Sequence, residues 1–389
     1  MATNPPSPAV PLVDPKQSQE PGPAPGTLAG TALCLSGGGY RAMLFHVGSL
    51  WRLNEAGWLP RLDRISSVSG GSITAGVLGL HWNELGFDAQ GVAAGFGKAL
   101  VDPVRSLAGE TVDAGAVLGG LFSIGSSASD HVADAYRKHL FGKKTLQDLP
   151  DHPRFVINAT NIQSGALCRF SKPFLWDYRV GKIAQPKIEL AVAVGASSAF
   201  PPVLSPVELD LSGFTFEPGT GDDLERPPFT QKMVLSDGGV YDNMGIETAW
   251  KCHRTILVSD GGAKMAAEEK PHSDWLRHSI RVLDVIDNQV RSLRKRQLIE
   301  AFKARTEHDG TYWGIVTNIA DYKLTDSLSC PFEATQKLAQ VATRLSAVPG
   351  KLQEQLINWG YAVCDAALRR HVDPGIAKPK GFPYAGGVG

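Results

Sequence analysis

The 389-residue chain has no run approaching the roughly 18 uninterrupted apolar residues that a membrane-spanning helix requires. Its N-terminus lacks a basic start followed by an apolar stretch, so no secretory signal is legible. A cytoplasmic protein, or one peripheral at a membrane surface, is therefore the expectation. Excess charge is missing too, since Lys and Arg number 39 and Asp and Glu number 39. Without a global pull on polyanions, nucleic acid is a poor candidate partner. The five cysteines, Cys34, Cys168, Cys252, Cys330 and Cys364, form no CxxC pair and are odd in number. That argues against a disulfide framework and against a structural zinc site. No cluster of His, Cys and carboxylates occurs at metal-ligand spacing, so neither metal nor cofactor is expected.

What is present is ordinary globular composition, 43% hydrophobic and 20% charged, with 42 Gly and 26 Pro marking many tight turns. Residues 1–30 hold eight prolines and little that could be buried, and read as a disordered tail. Order begins at Thr31 with the apolar run Thr-Ala-Leu-Cys-Leu, which enters Ser36-Gly37-Gly38-Gly39 and then a helical pattern from Arg41. The rhythm repeats at once, with strand 65–68, turn 69–71 and helix 72–80. Strand, glycine loop and helix twice in fifty residues predict a parallel α/β sheet. Further strands are expected at 155–160, 233–236, 255–259 and 313–318. Residues 82–150 read as mostly helical. Within them the apolar, glycine-rich stretch 114–125 is a candidate lid or lipid-contact loop, or a buried connection. A long helix over 275–305 carries Leu276, Ile280, Leu283, Ile286, Val290, Leu293 and Leu298 along one side. A final helical stretch covers 334–371. One domain over 31–375 is expected, with its motifs in 31–265, a helical extension over 266–375 and a flexible tail over 376–389.

Three successive glycines between a strand and a helix let the backbone approach a ligand closely. Their N–H groups, beside the positive end of a helix, form a cavity for an anion. A phosphate or the oxyanion of an acyl-transfer intermediate would fit, as would a plain tight turn. The phosphate reading lacks its sequence, because neither GxxxxGK[ST] nor GxGxxG is completed here. Ser67-Val68-Ser69-Gly70-Gly71 places Ser69 on a sharp strand-to-helix turn with small neighbours two residues either side, which is the nucleophile-elbow arrangement. The usual first glycine is Ser67 here. Ser36, Ser66, Ser67 and Ser72 lack that context. For a base, none of His253, His272, His278, His308 and His371 follows a strand in a glycine-rich loop. Asp237 does, in Ser236-Asp237-Gly238-Gly239, and a buried carboxylate with a raised pKa can take a serine proton itself.

Taken together and in order, these segments resemble the patatin-like phospholipases, lipid acyl hydrolases with a Ser-Asp dyad. Gly37-Gly38-Gly39-Tyr40-Arg41 is similar to the family's oxyanion loop and Ser69 to its nucleophile. Ala196-Ser197-Ser198-Ala199-Phe200-Pro201 resembles a small-residue segment, Asp237-Gly238-Gly239 the dyad acid, and Asn243 an asparagine that often follows. The resemblance covers about residues 31–265 and implies a three-layer α/β/α fold with a mostly parallel sheet. It also implies metal-independent hydrolysis of lipid esters. It gives Ser69 as nucleophile, Asp237 as base, Gly37, Gly38, Gly39 and Gly70 as the oxyanion hole, and Arg41, Gly71, Gly238 and Gly239 as support. A short-chain esterase or acyltransferase on the same site, and a catalytically silent lipid- or protein-binding module, are the alternatives.

Other residues read more plainly. His46 is expected to pack or support the loop, and Asp260-Gly261-Gly262 to be a strand-end turn. Arg41 would orient the oxyanion loop, meet a lipid phosphate or form a salt bridge. Arg291, Arg294, Lys295 and Arg296 form a basic run on the long helix. It reads as a solvated helix face or as a contact with an anionic membrane surface.

Overall fold

The computed structural model describes residues 28–113 and 128–389. The candidate lid at 114–125, and all but the last three residues of the Pro-rich tail, lie outside the described residues. Ten strands form one sheet: β1 Thr31–Leu35, β2 Arg64–Val68, β3 Arg154–Asn161, β4 Ala166–Phe170, β5 Phe174–Asp177, β6 Gly181–Ala184, β7 Val207–Asp210, β8 Lys232–Asp237, β9 Thr255–Asp260 and β10 Asp309–Gly314. The central strands run β10-β9-β1-β2-β3, all parallel. From β3 the sheet continues antiparallel through β4, β5 and β6, while β8 pairs with β3 and carries β7.

Alternation along β1 shows why the sheet is a middle layer. Leu33 and Leu35 enter one apolar cluster and Ala32 and Cys34 another, so both faces are covered. On the first face lie α1 (Gly39–Glu55), α2 (Gly70–Leu80), α3 (Leu190–Ser197) and the C-terminal helix α6 (Gly350–His371). On the other lies α4 (Trp275–Ala304), which contributes Leu298 to the second cluster. α1 and α6 cross almost in backbone contact. A Cβ on Gly48 would fall 1.9 Å from the Ile357 carbonyl oxygen, and one on Gly360 would fall 1.9 Å from that of Phe45. Such a crossing admits only glycine at both positions.

Several expectations change. The last central strand is Asp309–Gly314 rather than 313–318. Its first residues are already in the ladder, with Gly310 opposite Ile256. The stretch 334–371 is two helices, α5 (Phe332–Ala339) and α6. The apolar side of α4 does not enter the core: Leu276, Leu283, Ile286, Val290 and Leu293 are exposed and only Leu298 is buried. Arg291, Arg294 and Lys295 of the basic run face the protein, while Arg296 stays exposed. Arg291 Nη2 lies 3.1 Å from Asp260 Oδ2 and Arg294 Nη1 lies 3.2 Å from Glu247 Oε2. Lys295 Nζ sits 4.3 Å from the Tyr312 ring centroid. These buried acids explain the inversion, because unpaired they would cost more than exposed leucines do. The segment 376–389, expected to be a flexible tail, is docked. The Asn358 side-chain amide donates to the carbonyls of Tyr384 (2.8 Å) and Gly387 (2.7 Å), and Val388 is buried.

Candidate active site

Register brings the two candidate catalytic residues together. β2 runs up one side of β3 and ends with Val68 opposite Asn158. β8 comes from the opposite direction along the same side and ends with Asp237 opposite Ala159, the next rung. The two strands meet head to head, so Ser69 and Asp237, 168 positions apart in number, face each other where their strands end. Ser69 is among the groups that bear on the proton affinity of the Asp237 carboxyl.

Ser69 has φ 51° and ψ −121°, a conformation L-residues avoid, and α2 begins at the next residue. Strain of this kind costs ~1–3 kcal/mol and persists only when the surroundings enforce it. The enforcing contacts are visible. The Ser69 N–H donates to Ser197 Oγ (2.9 Å), and Ser197 in turn donates to the Asn158 carbonyl (2.6 Å). Ser67, standing where the elbow usually has glycine, is tolerated because its hydroxyl donates to the Val156 carbonyl (3.3 Å). Ser72 lies 3.0 Å from Ser67 Oγ and 2.9 Å from Ser197 Oγ, which closes a serine cluster beneath the turn. Ser197 was visible in sequence only as part of a small-residue segment. Its role as the hydroxyl that holds the elbow needed the structure.

Asp237 is 4% exposed. Burial raises its carboxyl to about 7, opposed by hydrogen bonds from the Gly239 N–H and the Ser69 hydroxyl and aided by the charge of Asp287. The Gly239 N–H reaches Asp237 Oδ1 at 2.7 Å. Gly238 serves packing, since a Cβ there would meet the Asn158 carbonyl oxygen at 2.3 Å. Among the described residues, no histidine is among the groups that set this carboxyl's proton affinity.

The glycine loop lies against the elbow. A Cβ on Gly70 would fall 2.2 Å from the Gly39 carbonyl oxygen, and Gly39 itself has φ 60°. Among the described residues, no hydrogen-bond acceptor takes the N–H of Gly38, Gly39 or Gly70. Gly37 differs from the expectation: its N–H donates to the Asn243 carbonyl (3.0 Å) and is not free for an oxyanion. Gly71 lets α2 start hard against β1, where a Cβ would meet the Leu35 carbonyl oxygen at 2.4 Å.

Among the described residues Arg41 has no carboxylate partner within salt-bridge distance. It is 1% exposed and donates to the carbonyls of Gly261 (3.1 Å) and Val341 and to Thr343 Oγ1 (2.9 Å). It ties the glycine loop to the turn after β9 and to the segment before α6. His46 supports the loop from below. Burial lowers its pKa to about 4, so the neutral ring bridges the Ser36 carbonyl (2.9 Å) and the Ser259 hydroxyl (2.8 Å). Asp260 ends its strand as a paired carboxylate. Burial would raise its pKa, but Arg291, the Tyr312 hydroxyl and the Gly262 N–H hold it at about 2. Among the described residues, no three His, Cys, Asp or Glu side chains gather as a metal site, and no helix is long and apolar enough to cross a membrane.

A family model described as patatin-like phospholipase matches residues 33–250. Among solved structures, human GIVD cytosolic phospholipase A2 is similar, with TM-score 0.51 and 12% identity over 86% of this chain and 58% of that one. The same human protein in complex with methyl gamma-linolenyl fluorophosphonate matches with TM-score 0.50 and 12% identity over 87% and 58% of the two chains. The chain thus spans 58% of that protein's length, and at this identity the likeness shows the fold alone. No curated protein sequence matches.

Proposed function

The chain belongs to the patatin-like phospholipase family, and on that premise we propose that it hydrolyses lipid acyl esters through an acyl-enzyme on Ser69, with Asp237 as the base. The observation that carries this reading is that a serine held at φ 51° and a buried carboxyl raised to about 7 stand at the point where β2 and β8 meet end to end on β3. Ser69 Oγ attacks the ester carbonyl while its proton passes to Asp237. The Gly38, Gly39 and Gly70 N–H groups receive the oxyanion, each donor lowering the barrier by ~2.7–4 kcal/mol. The alcohol leaves with the proton from Asp237. Water then gives a proton to Asp237, attacks the acyl carbon and releases the acid, and Ser69 regains its proton.

A panel of phospholipids, neutral glycerolipids and short-chain esters tests the substrate class, and a fluorophosphonate probe tests the nucleophile. Lipid ester turnover with labelling at Ser69 is the expected result. A folded protein that neither labels nor turns over any ester would end the proposal in favour of a silent binding module. Because the dyad uses only side chains and backbone amides, hydrolysis is expected to persist at wild-type rate in EDTA. Loss of activity in EDTA, restored by adding calcium or zinc, would count against it.

A further inference from the structure

One residue of the turn after β9 grips the glycine loop at both ends. The Gly261 N–H donates to Ser36 Oγ (2.8 Å), immediately before Gly37, and the Gly261 carbonyl accepts from Arg41 Nε (3.1 Å), two residues after Gly39. The loop rests on this turn without a gap. A Cβ on Gly38 would fall 3.1 Å from the Gly261 carbonyl oxygen, and one on Gly261 would fall 2.6 Å from Ala42 Cα. In so close-packed a contact, a displacement of Gly261 is passed to the backbone that carries the Gly38 and Gly39 N–H groups. Gly261 is in turn fixed from α4. Arg291 Nη2 donates to the Asp260 carboxylate, 3.2 Å from Oδ1 and 3.1 Å from Oδ2, while Nη1 donates to the Ala263 carbonyl at 3.0 Å. One guanidinium thus spans the turn, with Gly261 and Gly262 between its two anchors. A Cβ on Gly262 would lie 2.4 Å from Nη2, so only glycine leaves room for the arginine. The other donors to the Asp260 carboxylate, the Gly262 N–H (2.9 Å) and the Tyr312 hydroxyl (2.7 Å), are neutral and do not reach Ala263.

We propose that Arg291 is a positioning residue for the oxyanion loop: by tying Asp260 to Ala263 it sets Gly261, and Gly261 sets the Gly38 and Gly39 N–H groups through Ser36 and Arg41. The proposal rests on the reading of those N–H groups as oxyanion donors. Arg291 touches no reacting atom. Its guanidinium fork holds two acceptors at once, which the single ammonium of a lysine does less well. The loop has other supports, since the Tyr40 N–H donates to the Arg344 carbonyl (3.0 Å) and Arg41 also donates to Val341 and Thr343. Loss of Arg291 therefore shifts the loop without unfolding it. Donors act where charge develops, and a displacement of ~1 Å in a catalytic group costs ~100-fold in rate.

The experiment measures kcat and KM for an ester and for the thionoester of the same acid and alcohol, in which sulfur replaces the carbonyl oxygen. Sulfur is a weak hydrogen-bond acceptor, so the thionoester draws little on the oxyanion donors. Wild type, Arg291→Gln, Arg291→Lys and Arg281→Gln are compared, each normalised to the Ser69 sites that a fluorophosphonate labels. Arg291→Gln should lose ~100-fold in kcat on the ester, with KM and the thionoester rate each within ~3-fold of wild type, because the lost interaction belongs to the transition state alone. Arg291→Lys keeps the charge beside Asp260 and should lose only ~10-fold on the ester. Arg281→Gln removes a different tie of the same helix, to Glu268 (3.3 Å) and the Ala266 carbonyl (2.6 Å), and should keep both rates within ~3-fold. If Arg291→Gln does not melt cooperatively, Arg291→Lys carries the same comparison. An unchanged ester rate, an equal loss on ester and thionoester, a loss in KM alone, or the same loss in Arg281→Gln overturns the proposal. Failure of the underlying reading looks different: wild type itself would leave Ser69 unlabelled or show no preference for the ester.

Discussion

Ser69→Ala is expected to abolish ester hydrolysis and fluorophosphonate labelling while leaving the protein folded. A nucleophile that forms the covalent intermediate has no substitute, and loss of such a group costs up to about 10⁶-fold in turnover in serine hydrolases. No nearby serine can replace it. Ser36 is fully buried with its N–H and Oγ committed to Ser259 and Gly261, and Ser67, Ser72 and Ser197 are bonded to one another or to carbonyls beneath the turn. Alanine has the same Cβ as serine, so the backbone strain at φ 51° is retained and stability should change little. Glycine relieves that strain. Ser69→Gly should therefore be equally inactive yet more stable by ~1 kcal/mol, read as a higher melting midpoint. The substitutions thus separate chemistry from folding at one position. Turnover by folded Ser69→Ala at even a tenth of the wild-type rate would remove Ser69 as the nucleophile.

The candidate residues were legible in sequence because each lies within a local signal. Ser69 follows a strand, Asp237 ends one and both precede glycines, and Gly37–Gly39 follow a strand so short and apolar that a buried position is the natural reading. Their meeting was not legible. It depends on β8 running antiparallel into the line of β2, with β7, β4, β5 and β6 as short strands of four or five residues that leave little period to read. Long-range hydrogen bonds were hidden for the same reason. The Gly37 amide reads as free in sequence, but the Asn243 carbonyl takes it. The arginine run on α4 shows the limit of charge patterning. Read alone it is a solvated or membrane-facing run, but the partners that turn Arg291 and Arg294 inward are Asp260 and Glu247, 31 and 47 positions away. With those arginines committed to the protein, the apolar side of the same helix is the one left outside.

Asp237→Asn is expected to lose hydrolysis and gain stability at the same pH, because one buried carboxyl governs both. Asparagine keeps an oxygen for the Gly239 N–H but cannot accept the Ser69 proton, so turnover should fall by ~10⁴-fold, the upper range for a general base. The wild-type rate should rise with pH along a single limb centred about 7, where the carboxyl ionises. Ala substitutions at His253, His272, His278, His308 and His371 should each leave substantial activity. Stability runs the other way. An unfolded chain releases this proton near ~3.9, whereas the folded protein holds it to about 7. Between those values the folded state binds the extra proton, and its stability falls as pH rises. Over about three pH units the loss is on the order of 4 kcal/mol. Asparagine carries no such charge. Asp237→Asn should therefore melt above wild type at pH 8, and the advantage should vanish below about pH 4, where both states of the wild-type carboxyl are protonated. Thermal melts across that range, beside the pH–rate profile, decide it. An active Asp237→Asn alongside a folded His variant as inert as Ser69→Ala would replace the dyad with a triad. A melting difference that grows toward low pH would mean that the Asp237 carboxyl is held below its ordinary range, and the base would have to be sought elsewhere.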